Sequence, residues 1–357
     1  MNGDLVYYAG PAALSLIRDG GLTPDRVAVV AGAAGGPKWL VLSHLDRFLF
    51  SHWFRGRRHP LFLLGASNGA WRFAAVCRLD PSDALEAFER AYIYQFYPRR
   101  PTPETVSKES RRIMAAYLGG DGVDEVLNHP FLRPSFLTVR ARHLCAAESR
   151  VPQLAGLTAA VAANILDRSL LRFFFNRVMF YHPADDPPCW PIEGFSSKRV
   201  PLSSDNLMDA LLASGSIPMV MSGVRDITGA PAGTYRDGGA LDYHLDIPHS
   251  IAPDTITLFP HYSERIIPGW LDKSLPWRKP SPSSLATMLL VTPSPSFVAT
   301  LPDGRISDRT DFQRFAGNDN ARIDSWRQVV ARGKRLSESF AEAVISGRIR
   351  HLVQPFP

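Results

Sequence analysis

Gly65-Ala66-Ser67-Asn68-Gly69 stands between two segments of opposite character. Leu61-Phe62-Leu63-Leu64, before it, is a short apolar run that reads as a buried strand. Ala70-Trp71-Arg72-Phe73-Ala74-Ala75-Val76-Cys77, after it, reads as a helix. A chain that leaves a strand through Gly-x-Ser-x-Gly and enters a helix must turn sharply at the serine. The flanking residues are small because the turn backbone is strained and packs closely on its neighbours. Such an elbow lifts one hydroxyl clear of the end of a sheet, so Ser67 is the candidate nucleophile.

The elbow has company upstream. Val27-Ala28-Val29-Val30-Ala31 is a second buried-strand candidate, followed by Gly32-Ala33-Ala34-Gly35-Gly36-Pro37-Lys38 and then helical spacing from Trp39 to about Phe50. Strand, helix, strand, helix predicts an α/β fold: a three-layer α/β/α sandwich around a mostly parallel central sheet. Residues 81–118 read as mostly helical, 136–142 as a strand of period two, and 151–183 as a very apolar helical stretch. Ser204-Asp205 caps a helix to about Ala213. Thr234-Tyr235-Arg236 leads as a strand into Asp237-Gly238-Gly239, and 255–259 is a further strand. Residues 268–310, rich in proline and serine, form a long excursion, and a charged amphipathic helix over 319–345 closes the chain. This organisation implies one domain of 357 residues with its motifs within about 27–260. Residues 151–200 would be a helical lid or insertion, and 268–357 a C-terminal extension.

Composition narrows the function classes. Three cysteines, Cys77, Cys145 and Cys189, are too few and too widely spaced for a disulfide framework or a zinc site. No basic, then apolar, leader opens the sequence and no run approaches the ~18 apolar residues of a spanning helix, so a cytoplasmic protein is expected. The net charge of +6 rests largely on arginine, as in Arg55-Gly56-Arg57-Arg58, Arg99-Arg100 and Arg111-Arg112. That balance favours anionic partners, and a peripheral contact with an anionic membrane is expected. Because no nucleic-acid-binding signature accompanies the charge, no nucleic acid is expected.

Three motifs lie in a meaningful order. The turn Ala34-Gly35-Gly36-Pro37-Lys38 offers backbone N–H groups at a helix start, the kind of donor that stabilises a negative oxygen. Ser67 follows about thirty residues later, and Asp237-Gly238-Gly239 arrives 170 residues after that, at a strand end. In these motifs the chain resembles the patatin-like phospholipase family. Its members join a Gly-Gly-Gly-x-Arg/Lys-Gly turn, a Gly-x-Ser-x-Gly elbow and an Asp-Gly-Gly/Ala motif. Ala213-Ser214-Gly215-Ser216-Ile217-Pro218 is similar to a further family segment that packs beside the site. The resemblance spans roughly 27–245; the 150–200 stretch and residues beyond about 260 have no match in it.

The resemblance implies a patatin-like fold and a serine acyl hydrolase that cleaves carboxylic esters of lipids, phospholipid or lysophospholipid, without metal or other cofactor. Ser67 would be the nucleophile and Asp237 its base, in a dyad rather than a triad. Gly35, Gly36 and Asn68 would supply the oxyanion hole. Lys38 matches the family's basic position, and Lys38 and Trp39 are expected at the substrate. Two departures stand out: Ala34 replaces the first glycine, while still carrying an N–H, and Trp39 replaces the last.

Two other readings fit some of the same residues. An α/β-hydrolase would complete a Ser–Asp–His triad with His244, His249 or His261, but such enzymes set the elbow after several strands and here one clear strand precedes it. A non-catalytic lipid- or membrane-binding protein would use the aromatic and arginine-rich segment 47–58 as an interfacial surface, and 173–181 as a lid or lipid-facing wall.

Overall fold

The computed structural model describes residues 3–97, 101–192, 194–248 and 254–357. Arg99-Arg100 and His249 lie outside the described residues. Eleven strands form one mixed sheet among the described residues. In chain order they are β1 Leu5–Ala9, β2 Val27–Gly32, β3 Leu61–Ala66, β4 Leu132–Ala141, β5 Phe175–Tyr181, β6 Ser197–Pro201, β7 Val224–Arg225, β8 Thr234–Asp237, β9 Ile256–Pro260, β10 Met288–Pro293 and β11 Val353–Pro355. The spatial order is β11-β1-β10-β9-β2-β3-β4-β5-β6, with β8 paired to β4 and β7 to β8.

The centre, from β10 through β9, β2 and β3 to β4, is parallel throughout. Every residue of β2, β9 and β10 is buried. Successive strand residues point to opposite faces, so both faces of this centre are covered, and a three-layer α/β/α arrangement follows.

Register decides where the motifs meet. Gly32, the last residue of β2, pairs with Gly65, and Ala66, the last of β3, pairs with Leu137. One residue on, Thr138 pairs with Asp237 at the end of β8. The glycine turn after β2, the elbow after β3 and the Asp237 turn are thereby brought to one edge of the sheet, although Ser67 and Asp237 are 170 residues apart. Ligand sites in open α/β sheets sit at this carboxyl edge of the parallel strands.

Four expectations need correction. The apolar stretch 151–183 is not one helical unit: the helix Arg150–Leu166 and a 3₁₀ segment, Arg168–Phe173, lead into β5. A short apolar run cannot be told from buried helix by periodicity, and Phe-Asn-Arg-Val-Met-Phe-Tyr is rich in strand formers. β5 is buried in the sheet beside β4, so 173–181 is no lipid-facing wall; only Phe173 is markedly exposed. Residues 268–310 are more than an excursion, because β10 passes between β1 and β9. Two strands precede the elbow, β1 and β2, so strand count alone separates a dyad from a triad less sharply than expected.

The segment 47–58 also behaves differently from an interfacial one. Phe50 and Phe54 are buried, Trp53 packs against Phe54 and Phe340, and Arg57 donates to the carbonyls of Pro24, His59 and Pro60. The helix over 319–345 is present as Asp319–Ile345, and it packs on helix Ser43–Phe48.

That second helix holds the elbow helix Asn68–Val76 by charge. Arg72 donates from Nε and Nη2 to the two carboxylate oxygens of Asp46, both at 2.6 Å, with both side chains buried. Removing one partner leaves the other charge buried and uncompensated. Asp46→Ala is therefore expected to destabilise the fold by about 3–5 kcal/mol, the range for a broken buried pair, measurable as a lowered midpoint in urea denaturation.

Candidate functional site

Ser67 is forced into its place by its neighbours. Its backbone sits at φ 54° and ψ −127°, a region serine seldom occupies. A Cβ on Gly65 would meet the backbone of Ala70 at 2.6 Å, and a Cβ on Gly69 would run into the Gly32 carbonyl. The elbow thus needs glycine at both ends for space, as the pattern predicts. The Ser67 N–H donates to the Ser214 hydroxyl at 2.9 Å, and that hydroxyl donates to the Leu137 carbonyl at 2.7 Å. Ser214 bolts the elbow to β4, which gives the 213–218 segment a physical task. The same segment holds the opposite side: Asp237 N–H donates to the Ser216 carbonyl at 3.0 Å.

The Ser67 hydroxyl donates to Asp237 Oδ2 at 2.8 Å, and the Gly239 N–H donates to Asp237 Oδ1 at 2.7 Å. Ser67 is 2% exposed and Asp237 5%. Burial pushes the Asp237 carboxyl up to about 6, against the opposing pull of Gly239, Ser67 and the charges of Arg309 and Lys273. A hydroxyl that donates to a carboxylate at this distance can pass it a proton, and a carboxylate raised toward neutral pH is a better base for the task.

Both groups open into one cavity of about 220 Å³. Gly35, Gly36 and Lys38 from the glycine turn line it, with Ile217 and Gly239. Gly36 has φ 59° and Gly35 leaves no room for a Cβ, which would approach the Tyr262 hydroxyl to 2.6 Å. Gly36 begins the 3₁₀ turn Gly36–Leu42, and Asn68 begins helix Asn68–Val76. Backbone N–H groups in such first turns lack acceptors within the helix. Ala34 differs: its N–H donates to the Tyr243 carbonyl at 3.0 Å and its carbonyl accepts from the Tyr262 hydroxyl. It anchors the turn and has no donor to spare.

Two expected substrate contacts fare differently. Lys38 lines the cavity, with its ammonium 5.0 Å from the centre of the Tyr262 ring and its pKa lowered by burial. Trp39 does not line it. The indole is buried and stacked on Phe88 at 4.4 Å with Tyr92 at its edge, so the bulk that replaces the usual glycine is absorbed by the core. Asn68 is buried and also absent from the cavity lining.

Neither described candidate histidine reaches the pair. His244 Nδ1 accepts from the Ile267 N–H at 3.0 Å, which leaves Nε2 to donate to the Tyr262 hydroxyl at 2.9 Å. His261 Nδ1 accepts from the Ser263 N–H at 2.9 Å. Burial holds His244 well below its ordinary pKa and His261 at about 3, so both rings are neutral. They are packed behind the glycine turn.

The rest of the wall was not legible in the sequence. Tyr243, Trp270, Lys273, Asp308, Arg309 and Thr310 come from the region after the Asp-Gly-Gly motif. Trp270 and Lys273 flank Asp272, a buried carboxylate that accepts from Asn164, Arg168 and the Gly269 N–H. No short motif marks these residues; only the placement of β9 and β10 brings them to the edge.

No family model matches the chain, and no curated protein matches it. Among solved structures it is similar to VipD from Legionella pneumophila, with 11% identity and a TM-score of 0.31, over 66% of this chain and 50% of that one. It is also similar to human GIVD cytosolic phospholipase A2, with 11% identity and a TM-score of 0.38, over 96% of this chain and 63% of that one. The chain thus spans 50% and 63% of the lengths of these two proteins. At this distance the likeness bears on neither substrate nor chemistry.

The Asp237 shift carries a stability consequence with a definite sign. Its folded-state pKa of about 6 lies above the ordinary value of 3.8, so the native state binds the extra proton between them. Stability contributed by that proton is present at the acid end and lost as pH rises through the window. Asp237→Asn keeps an acceptor for Gly239 and removes the buried charge. It is expected to stabilise the fold by on the order of 2–3 kcal/mol at pH ~7.5, and far less at pH ~4, as read from denaturation midpoints at the two pH values.

Proposed function

We propose that this protein is a serine acyl hydrolase that cleaves carboxylic ester bonds of lipids, with Ser67 as nucleophile and Asp237 as its only protein base. One observation carries the reading: the Ser67 hydroxyl donates to a buried carboxylate at 2.8 Å, at the wall of a cavity. The patatin-like motifs support it from the sequence, since serine, aspartate and glycine turn occur in the order that family uses.

The chemistry follows from the atoms. Ser67 Oγ attacks the ester carbonyl carbon as its proton passes to Asp237 Oδ2, and the carbonyl oxygen becomes negative. N–H groups of Gly35, Gly36 and Asn68 are the donors for that oxygen. Collapse breaks the ester C–O bond, and the proton on Asp237 goes to the departing alkoxide. Water then gives a proton to Asp237 as it attacks the acyl-enzyme, and Ser67 leaves with that proton to regenerate the pair. Asp237 is available as a base above pH about 6, where its carboxyl is ionised. A Ser–Asp–His triad has no support from His244 or His261, whose rings face Tyr262 and Ser263.

The lipid part of the reading rests on the helix Arg150–Leu166. Its buried side is a narrow stripe of Gln153, Gly156, Ala160 and Asn164. Its large aliphatic residues face outward: Val151 is 79% exposed, Leu154 54%, Ile165 52% and Leu166 82%. Residues 151–166 carry no charge; Arg150 stands at one end, and Asp167, Arg172 and the Asp272-paired Arg168 at the other. An uncharged helix with its aliphatic side chains turned outward and Arg150 and Arg172 near its ends suits a bilayer surface. Asn164 on this helix donates to Asp272 at 2.8 Å, between the cavity residues Trp270 and Lys273, so the surface and the cavity share one rigid joint.

Two measurements check these statements. Ser67→Ala is expected to lower kcat/KM on p-nitrophenyl esters at least about a thousandfold, as for other serine nucleophiles, and to abolish labelling by a fluorophosphonate; retained turnover would refute the dyad. Leu154→Glu with Ile165→Glu is expected to prevent sedimentation with phosphatidylcholine–phosphatidylglycerol vesicles, with p-nitrophenyl ester turnover as the control for folding. Unchanged sedimentation would remove the helix from the lipid reading.

A further inference from the structure

The cavity around Ser67 holds more positive charge than its own chemistry uses. Lys38, Lys273 and Arg309 all line it. Its two carboxylates attract these cations, Asp308 acting on Lys38 and Lys273 and Asp237 on Lys273. Two carboxylates against three cations still leave one positive charge in excess, and each carboxylate has its direct partners elsewhere. Asp237 holds Ser67 and Gly239, while Asp308 accepts from the Thr310 N–H at 2.6 Å and hydroxyl at 2.7 Å and pairs with Arg305 at 3.7 Å. The three cations lie over aromatic rings instead. Lys38 is 5.0 Å from the Tyr262 ring centre, Lys273 is 4.1 Å from Tyr243 and 5.8 Å from Trp270, and Arg309 is 5.6 Å from Trp270. Aromatic faces hold a cation in position without neutralising it.

We propose that Lys38, Lys273 and Arg309 bind an anionic oxygen group carried by the substrate itself, a phosphoryl or carboxylate group close to the scissile ester. This inference rests on the Ser67–Asp237 reading of the same cavity. Three like charges held around about 220 Å³ raise one another's energy, and an anion among them relieves it. The strain is visible at Lys273: burial first, and then the charges of Lys38 and Arg309, lower its pKa to about 8 against the opposing pull of Asp237 and Asp308. The cavity is also smaller than the roughly 300–1,000 Å³ of usual ligand pockets. A cavity of this size takes the ester and the anionic group beside it and leaves a long acyl chain outside. A choline-capped phosphate would return a cation to a cavity that already has three. The favoured substrate is therefore a compact ester with an uncapped anionic group, ahead of neutral and zwitterionic esters.

A competing role for the same cations is to keep Asp237 ionised, since Arg309 and Lys273 both pull its pKa down. The test separates the two. Monohexanoylglycerol, its 3-phosphate and its 3-phosphocholine, each as a dissolved monomer, are compared by kcat/KM. The expected preference for the phosphate over the neutral ester is at least about tenfold, of the size that one charge-assisted contact confers. In Lys273→Gln and in Arg309→Gln that ratio is expected to fall toward one. Equal rates on the three esters in the wild type would overturn the proposal. So would variants that lose activity on all esters alike with the acid limb of the pH profile moved up, which is the signature of support for Asp237.

A binding arm reads the site without catalysis. Glycerol 3-phosphate and inorganic phosphate are titrated calorimetrically into Ser67→Ala protein. Binding of glycerol 3-phosphate that is lost in the added Lys273→Gln and Arg309→Gln backgrounds supports the proposal. Binding of inorganic phosphate alone, without preference among the esters, would make the ligand free phosphate and overturn it. If Ser67→Ala remained fully active, the dyad would fall while this arm still decided the anion site.

Discussion

The backbone of Ser67 at φ 54° costs on the order of 1–3 kcal/mol for a residue with a side chain, and the rest of the molecule is arranged so that this conformation has no easy escape. The Ser214 hydroxyl takes the Ser67 N–H, and the Ser67 carbonyl accepts from Ala70 and Trp71 at 2.9 and 3.2 Å, which starts the helix at once. Gly69 rests against the Gly32 carbonyl, so the elbow helix cannot tilt without moving β2. The Arg72–Asp46 pair fixes the same helix from its outer side. A turn over-determined in this way presents its hydroxyl at a constant height above the sheet edge. The distance to Asp237 is then set by the register of β4 with β3 and β8, and no flexible loop intervenes.

What was legible in the sequence shares one property: its chemistry is local. Gly65 to Gly69, the Gly35-Gly36 turn and Asp237-Gly238-Gly239 each need small residues beside a functional one because backbones approach closely there, and that demand is written into consecutive positions. β2 and β3 were equally plain, as unbroken apolar runs between turns. β5 is ambiguous in sequence because an apolar run with arginine and asparagine in it satisfies helix and strand alike until its partner β4 is known. β10 was hidden in a proline- and serine-rich region for a similar reason. The cavity wall from Tyr243 to Thr310 depends on where β9 and β10 enter the sheet, a property of the whole chain that no short window contains. Trp39 shows the converse: its neighbours in sequence line the cavity, yet its large apolar ring is drawn into the stack with Phe88.

The histidines illustrate how residue type alone misleads. A histidine beside a strand end invites a catalytic reading, but His244 is committed on both nitrogens, to the Ile267 N–H and the Tyr262 hydroxyl. Tyr262 passes the chain of donors on to the Ala34 carbonyl. The ring therefore acts on the glycine turn at one remove, as a buried neutral brace. Burial is what holds its pKa down, ahead of the charges of His261 and Lys38 and against the Arg265 carbonyl 3.2 Å from Nδ1.

Electrostatics at Asp237 then looks like a balance between two needs. Full burial alone would keep the carboxyl protonated at neutral pH and useless as a base, whereas free exposure would return it to the weakly basic range of ordinary aspartate. The Gly239 N–H, the Ser67 hydroxyl and the charges of Arg309 and Lys273 bring it back to about 6. That intermediate value suits a group that must accept a proton from one alcohol and give it to another. The cations that help set it stand on the same wall where the substrate would enter, so an anionic substrate would screen them as it binds. Asp237 would become more basic at the moment the hydroxyl must lose its proton. Substrate charge and base strength would thus be coupled through Lys273 and Arg309, which gives a cavity built of three cations and a buried carboxylate a reason to discriminate by charge ahead of acyl length.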